Sequence, residues 1–301
     1  MKSIKYSIII PHYNIPQLLK RCLESIPMRS DIQIIVVDNN SSLKNRIAAK
    51  TICRQFPRVE YVQDDIGKGA GQARNIGLKH VKGEWLIFSD ADDFFYNSFW
   101  HQIDNYTKAA SADIIYFRSI CVDSESLEPA DRGLERLDNL IFNYISKEKN
   151  AEDGLRLLHT GPVSKIFKYD FVQKGLFRFD ETKTANDVMF SIRTGHKAKT
   201  IEAYDEVMYV VTKREGSLVT LRDRESLRCR YEVRLRRNYY LKTIGKTLYA
   251  SPFSSYFVWA FKNGGIKEFV WFLKKMIEYR VNPLWGYKRI LNNKIKNTTK
   301  S

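Results

Sequence analysis

The chain has 301 residues, enough for one large α/β domain with an appendage or for two small domains, and its 44% hydrophobic content excludes a disordered chain. Its four cysteines, Cys22, Cys53, Cys121 and Cys229, are scattered and form no C-x-x-C pair, which argues against a zinc site or a disulfide framework and for free thiols. The net charge of +16 is uneven: residues 213–301 hold 21 Lys and Arg against 6 Asp and Glu, a surplus of 15, while the first 212 residues are nearly neutral.

Tyr6-Ser-Ile-Ile-Ile10 reads as a buried strand closed by Pro11. This apolar run is too short for a secretory leader, and no uninterrupted apolar stretch reaches the roughly 18 residues of a bilayer span, so the chain is expected on the cytoplasmic side of whatever membrane it serves. Asn14 offers an N-cap to a helix over Pro16–Ser25, and Ile32–Val37 is a second strand, closed by Asp38-Asn39-Asn40-Ser41-Ser42. A helical stretch to about Phe56 leads to a third strand, Val59–Val62. Then come the loop Gly67-Lys-Gly-Ala-Gly71, a helix from Ala73 to His80, and a fourth strand, Glu84–Phe88, which runs into Ser89-Asp-Ala-Asp-Asp93. Further strands are read at Ile114–Phe117 and Val207–Val211, a charged loop with a helix over 122–153, and helices beyond Arg222. Strands alternating with helices predict βαβ units and a largely parallel sheet, in which ligands bind beyond the carboxyl ends of the strands. The polar clusters after Ile10, Val37, Val62 and Phe88 all fall at those ends.

Asp90, Ala91 and Asp92 form an Asp-x-Asp at the end of a buried strand. Carboxylates gathered at one point repel one another unless a cation lies between them, and Mg²⁺ or Mn²⁺ takes one or two carboxylates together with substrate phosphates. The competing reading has Asp92 or Asp93 capping a helix that starts near Phe94. Asp38 can accept hydrogen bonds from a nucleotide base or ribose, or serve only as a turn residue. The loop 67–71 with Arg74 behind it suits close approach of a diphosphate, although its spacing is neither the dinucleotide fingerprint nor a P-loop.

Four segments follow one another in order: Ser7-Ile-Ile-Ile-Pro-His-Tyr-Asn14, Val36-Val-Asp-Asn-Asn-Ser-Ser42, Gly71-Gln-Ala-Arg-Asn-Ile-Gly77 and Phe88-Ser-Asp-Ala-Asp-Asp93. Together they resemble glycosyltransferase family 2, strongly over 4–100 and moderately to about 220. The resemblance implies the GT-A fold, an α/β architecture whose mainly parallel central sheet is flanked by helices, here with a helical C-terminal extension. It implies a catalytic unit over 1–220, with a nucleotide-binding half (1–100) and an acceptor half (101–220), followed by a basic extension over 221–301. It implies a nucleotide-sugar site of Pro11, Tyr13, Asn14, Asp38, Asn39, Gly71, Arg74, Asp90, Ala91 and Arg214. Within it Pro11, Tyr13 and Asp38 would line the base and ribose, and Asp90 and Asp92 would seat Mn²⁺ or Mg²⁺, with Asp92 closest to the metal. Gly161–Lys168 resembles the segment ahead of the catalytic base, and Asp187 of the pair Asn186-Asp187 matches that base. Its alternative role is a helix cap. Residues 209–217, with Arg214, Gly216 and Ser217, resemble a later loop over the donor.

The chain departs from the family pattern at Asn39, Leu43 and Asn186, where acidic residues are usual, so UDP is a preference only. The implied activity is inverting transfer of a sugar from a nucleotide-sugar to a hydroxyl of a glycan or lipid-linked glycan, in capsule, lipopolysaccharide or exopolysaccharide synthesis. None of His12, His80, His101, His159 and His196 has metal-binding spacing, and His196, near Asp187, is read as a surface or core residue.

In the tail, Ile266, Phe269, Val270, Leu273, Met276 and Ile277 fall at helical spacing among Lys262, Lys267, Lys274, Lys275 and Arg280, with Trp259, Trp271 and Trp285 nearby. This pattern suits either an anionic membrane surface or a helix packed on the catalytic unit. Two other function classes fit less well. A sugar-phosphate nucleotidyltransferase would carry its Gly-rich loop directly after the first strand, where Pro11-His-Tyr-Asn14 stands. A nucleic-acid-binding protein would not confine its charge to the tail and would show a binding motif.

Overall fold

The computed structural model describes residues 3–108, 111–214, 223–285 and 287. The apolar runs of the first third become β1 (Tyr6–His12), β2 (Ile32–Asn39), β3 (Val59–Asp64) and β4 (Trp85–Phe88), separated by α1 (Pro16–Glu24), α2 (Leu43–Cys53) and α3 (Ala70–Gly77). The middle holds β5 (Phe94–Phe95), α4 (Phe99–Lys108), β6 (Ile114–Asp123), α5 (Glu135–Ile145), α6 (Ala151–Leu158), β7 (Lys165–Lys168), α7 (Tyr169–Lys174), α8 (Val188–Lys197) and β8 (Ile201–Lys213). Then come α9 (Arg224–Thr243), α10 (Ser254–Trp259) and α11 (Gly265–Glu278).

All eight strands form one sheet in the order β3-β2-β1-β4-β7-β6-β8-β5. The first four strands pair in parallel. Beyond β4 the sheet is mixed: β7 runs antiparallel to β4 and β6, β8 runs parallel to β6, and β5 runs antiparallel to β8. Register aligns His12 with Asp38 and Asn39 with Asp64, so the polar ends of β1, β2 and β3 lie along one edge. Ser89 and Asp90 follow β4 on that same edge, because Ile9 pairs with Phe88.

The two-residue period of a strand divides the core between the faces of the sheet. Tyr6, Ile8, Ile10, Ile34, Val36, Trp85 and Ile87 face α1, α2 and α4. Ile9, Ile35, Val37, Leu86 and Phe88 face the other side, where Phe167, Phe179 and Phe190 close an aromatic cluster around Phe88. All four cysteines are free.

The C-terminal helices pack rather than project. Leu241 and Tyr249 meet Leu157, Met189 and Ile192 of α6 and α8. Tyr231, Phe253, Tyr256, Phe272 and Met276 form a second cluster among α9, α10 and α11. Glu268 of α11, buried to 1% of its side chain, pairs with Arg224 and with Arg228 at 2.6 Å. The stripe expected on the tail is therefore divided. Phe272 and Met276 turn inward and Phe269 packs beside them, whereas Ile266, Val270, Leu273 and Ile277 are exposed. The three tryptophans are drawn into packing: Trp271 lies under Arg228 at 4.5 Å and Trp285 under Lys242 at 5.8 Å. Among the described residues no helix is long and apolar enough to cross a membrane.

Candidate active site

The acidic loop after β4 is held by side chains from distant segments. The hydroxyl of Tyr209 on β8 accepts the Asp90 amide at 2.8 Å. Thr212 donates its amide to the Asp93 carboxylate at 2.7 Å and its hydroxyl to the Asp92 carbonyl at 2.8 Å, and Arg21 of α1 donates to that carbonyl at 2.7 Å. No helix begins at Phe94; a two-residue strand does, so neither Asp92 nor Asp93 is a helix cap there. Asp93 is enclosed, and burial together with the negative charges of Asp92 and Asp90 pushes its carboxyl well above the usual range.

Asp90 and Asp92 remain partly open, at 39% and 24% side-chain exposure. Arg74 of α3 pairs with Asp90, and Arg214 pairs with Asp92 at 3.0 Å. Arg74 also donates to the Asn186 amide oxygen at 2.9 Å, with its guanidinium 5.2 Å from the Phe179 ring centroid. One guanidinium thus joins the acidic loop to the residue beside Asp187.

Asp187 precedes α8 at its N-cap position, but its side chain makes no capping bond. Burial raises its pKa, against the pull of Arg74. Beneath it lies Lys165, a lysine with 1% exposure whose ammonium donates to the His159 carbonyl at 2.7 Å and sits 4.9 Å from the Tyr116 ring centroid. Burial drives its pKa down to about 7 even though Asp187 opposes the shift. Lys165 lies inside the segment 161–168 marked in the sequence, yet only its burial among Tyr116 and His159 distinguishes it from an ordinary surface lysine. His196 bonds Tyr240 of α9 at 2.7 Å, as expected of a packing residue.

Several residues expected against the donor prove to hold the loops. Asp38 has no exposed surface: His12 bonds one carboxylate oxygen at 2.9 Å and the Ser41 amide the other at 3.0 Å. Burial alone would raise its pKa, but these bonds hold it below the usual range. Both oxygens of Asp38 are thus engaged by protein groups where β1 and β2 end. Asn39 accepts the Gly69 amide at 3.1 Å, tying β2 to the glycine loop. Asn14 does not cap α1. It adopts φ 57°, and its side-chain oxygen accepts from the Ser42 amide at 2.9 Å and from Asn45 at 3.1 Å. Gly71 lies against protein, since a Cβ there would stand 2.0 Å from the Asp180 carbonyl. Pro11 and Ala91 are buried, and Tyr13 is 57% exposed just after β1. Arg46, unmarked in the sequence, reaches the same rim, donating to Asn40 at 3.0 Å and to Asp65 at 3.2 Å. Gly216 and Ser217 lie outside the described residues.

The loops therefore place two partly open carboxylates, two arginines and a half-buried carboxyl group at the carboxyl edge of the sheet. Residues 7–176 match the family model for Glycosyl transferase family 2, more than half of the chain, and the chain belongs to that family. Relatives include the poly(ribitol-phosphate) beta-glucosyltransferase of Bacillus spizizenii, 26% identical over 220 residues, covering 71% of this chain and 33% of that protein. The poly(ribitol-phosphate) beta-N-acetylglucosaminyltransferase TarS of Staphylococcus aureus is 23% identical, covering 71% and 36%. The chain thus spans about a third of the length of these two relatives. Among solved structures, S. aureus TarS 1–349 in complex with UDP-GlcNAc superposes with a TM-score of 0.71 at 18% identity, over 91% of this chain and 80% of that one. The mannosyltransferase PcManGT of Pyrobaculum calidifontis, in complex with GDP-Man and Mn²⁺, gives 0.52 at 15% identity, over 100% and 77%. The fold is the mixed-sheet architecture of these glycosyltransferases, with helices following the sheet.

Proposed function

We propose that the chain transfers a sugar from a UDP-sugar to a hydroxyl of a surface glycan or lipid-linked glycan, inverting the anomeric centre. The observation that carries this reading is the bridge by Arg74 between Asp90 and Asn186, which sets the acidic loop beside Asp187. The names of the relatives, which act on poly(ribitol-phosphate), support a phosphate-containing polysaccharide acceptor.

Asp90 and Asp92 suit a Mn²⁺ or Mg²⁺ ion that the donor completes. Both are partly open, and among the described residues no third acidic, histidine or cysteine side chain joins them, so the protein would supply two ligands at most. Diphosphate and water would supply the other ligands. When bound, the ion offsets charge on the departing nucleoside diphosphate. Arg74 and Arg214, paired with the two carboxylates, would turn to the same diphosphate. The acceptor oxygen attacks the anomeric carbon as the bond from that carbon to the phosphate oxygen breaks. Its proton passes to Asp187, and the electron pair leaves with the nucleoside diphosphate. General-base assistance contributes roughly 10²–10⁴-fold, with orientation and charge stabilisation supplying much of the rest. Pro11, Tyr13 and Asn14 with Asp38, Asn39 and Gly71 shape the nucleoside rim, and Ala91 spaces the two acidic side chains. Residues 1–220 are assigned to catalysis and 221–301 to a basic extension.

The extension offers a membrane-facing surface. Ile266, Val270, Leu273 and Ile277 form an exposed apolar stripe on α11, and Phe261 and Val258 are exposed just ahead of it. Lys262, Lys267 and Lys274 are exposed along the same segment, so its charge suits an anionic lipid surface at the inner face of the cell membrane.

The test is donor hydrolysis across UDP- and GDP-sugars, with and without Mn²⁺, by the wild type and Asp92→Ala. Mn²⁺-dependent release of UDP from one donor, lost in the variant, is expected. Absence of both turnover and metal-dependent nucleotide binding would overturn the reading.

A further inference from the structure

The two partly open carboxylates of the acidic loop are each matched by a guanidinium, and the two pairs differ in how firmly the arginine is held. Arg74 is anchored: its side chain is 5% exposed, it pairs with Asp90, it donates to the Asn186 amide oxygen at 2.9 Å, and it lies 5.2 Å from the Phe179 ring centroid. Arg214 is more easily released. It stands one residue beyond β8, its side chain is 33% exposed, and its Nε donates to the Asp92 carboxylate at 3.0 Å.

The main chain of Asp92 is fixed from two sides. Its carbonyl accepts the Thr212 hydroxyl at 2.8 Å and the Arg21 guanidinium at 2.7 Å. When the pair opens, the arginine therefore leaves and the carboxylate stays. A guanidinium and a divalent cation both need the lone pairs of an ionised carboxylate, so they compete for the same oxygens. With Arg74 on Asp90 and Arg214 on Asp92 the two pairs carry no net charge, and a cation approaching them gains little Coulomb attraction. A diphosphate alters that balance. Its oxygens offer the planar fork of arginine a second partner, and departure of Arg214 leaves the Asp92 carboxylate uncovered.

We infer that Arg214 is a positioning residue that acts through Asp92: it occupies that carboxylate ahead of the divalent cation, and its transfer to a nucleotide diphosphate makes cation and nucleotide bind with positive coupling. The inference rests on the proposed donor reading for the identity of the diphosphate and on the Arg214–Asp92 pair for the competition. Such coupling is reciprocal, so it is measurable from the cation side and from the nucleotide side. It keeps the acidic loop from holding a metal ion strongly until a donor is present.

The test measures Mn²⁺ affinity without nucleotide, from the electron paramagnetic resonance signal of the free ion, and UDP affinity by calorimetry with EDTA or with Mn²⁺. The proteins are the wild type, Arg214→Gln and, as a control for general charge, Lys213→Gln, which removes an exposed cation one residue away. Complexes of Mn²⁺ with UDP in solution are common to all samples and cancel between proteins. Arg214→Gln is expected to bind Mn²⁺ alone about two- to fivefold more tightly than the wild type, the range of a partly exposed ion pair. The gain in UDP affinity on adding Mn²⁺ should shrink by a similar factor, and Lys213→Gln should match the wild type in both. A purely structural role for Arg214 would not strengthen Mn²⁺ binding on its removal. Equal Mn²⁺ affinity in wild type and Arg214→Gln, with Mn²⁺-dependent UDP binding intact in the wild type, overturns the inference and leaves the donor reading standing. An equal rise in Lys213→Gln also overturns it, since the effect would then belong to net charge. Tighter Mn²⁺ binding by Arg214→Gln alone, with no UDP bound by any of the proteins, would sink the donor reading and leave the competition at Asp92 standing.

Discussion

Arg214 donates to the carboxylate of Asp92 at 3.0 Å, so the residue directly after β8 meets the acidic loop that follows β4. On the proposed reading this arginine would exchange its carboxylate partner for phosphate oxygens of the donor. Arg214→Gln is expected to lower kcat/KM for the donor by about 10–100-fold, the loss of one charge-assisted hydrogen bond. UDP affinity should fall in parallel and the melting temperature should hold, because the side chain is 33% exposed. Calorimetric UDP binding equal to that of the wild type would show that Arg214 stays with Asp92 throughout.

Gly71 sits where α3 meets the chain ahead of α8. A methyl group there would collide with the Asp180 carbonyl at 2.0 Å and approach the Asn186 Cβ to 2.9 Å. Backbone cannot yield as a flexible side chain can, so Gly71→Ala should destabilise the protein by about 1–3 kcal/mol. It should also displace Asn186 from Arg74, costing activity beyond the stability loss. Urea denaturation and kcat at a temperature well below the transition separate the two effects.

Asp187 must be ionised to take a proton, and burial raises its pKa. The acidic limb of the kcat profile is therefore expected above the ordinary carboxylate value of about 3.9, with activity rising as pH passes upward through the raised pKa. Asp187→Asn should lose about 10²–10⁴-fold in kcat, erase that limb and leave UDP affinity near that of the wild type. Retained activity with an unchanged profile would remove Asp187 from the reaction.

Lys165 provides a pH dependence of stability with a definite sign. Its folded pKa is pushed down to about 7, against about 10.4 in an unfolded chain. Between these values the unfolded state holds more protons, so stability from this group rises with pH, by up to about 1.4 kcal/mol per unit. Below about pH 7 both states are protonated and the cost of burying the ammonium is fully present. Lys165→Met should be more stable than the wild type near pH 7, with the difference shrinking toward pH 10 in urea titrations. Parallel pH profiles for the two proteins would contradict the shift.

The amino-acid order alone was enough to locate the first four strands and the polar clusters at their ends. Each rests on a contiguous apolar run followed by polar residues, a pattern set by burial of one stretch of backbone. The Asp90-Ala91-Asp92 triplet was legible for the same local reason, whereas the Asn186-Asp187 pair was marked only through the family resemblance. The tertiary structure decided which of the marked residues are open. Asp38 is consumed by His12 and Ser41, Asn39 by Gly69, and Gly71 by the Asp180 carbonyl, contacts that join segments with no shared local pattern. It decided as well that Tyr209 and Thr212 clamp the acidic loop from about 120 residues away, and that the apolar positions of α11 divide between a packed and an exposed face. The docking of α9 on α6 and α8 is decided the same way, because helix packing depends on volumes and charges contributed by distant parts of the chain, which no local run of residues encodes.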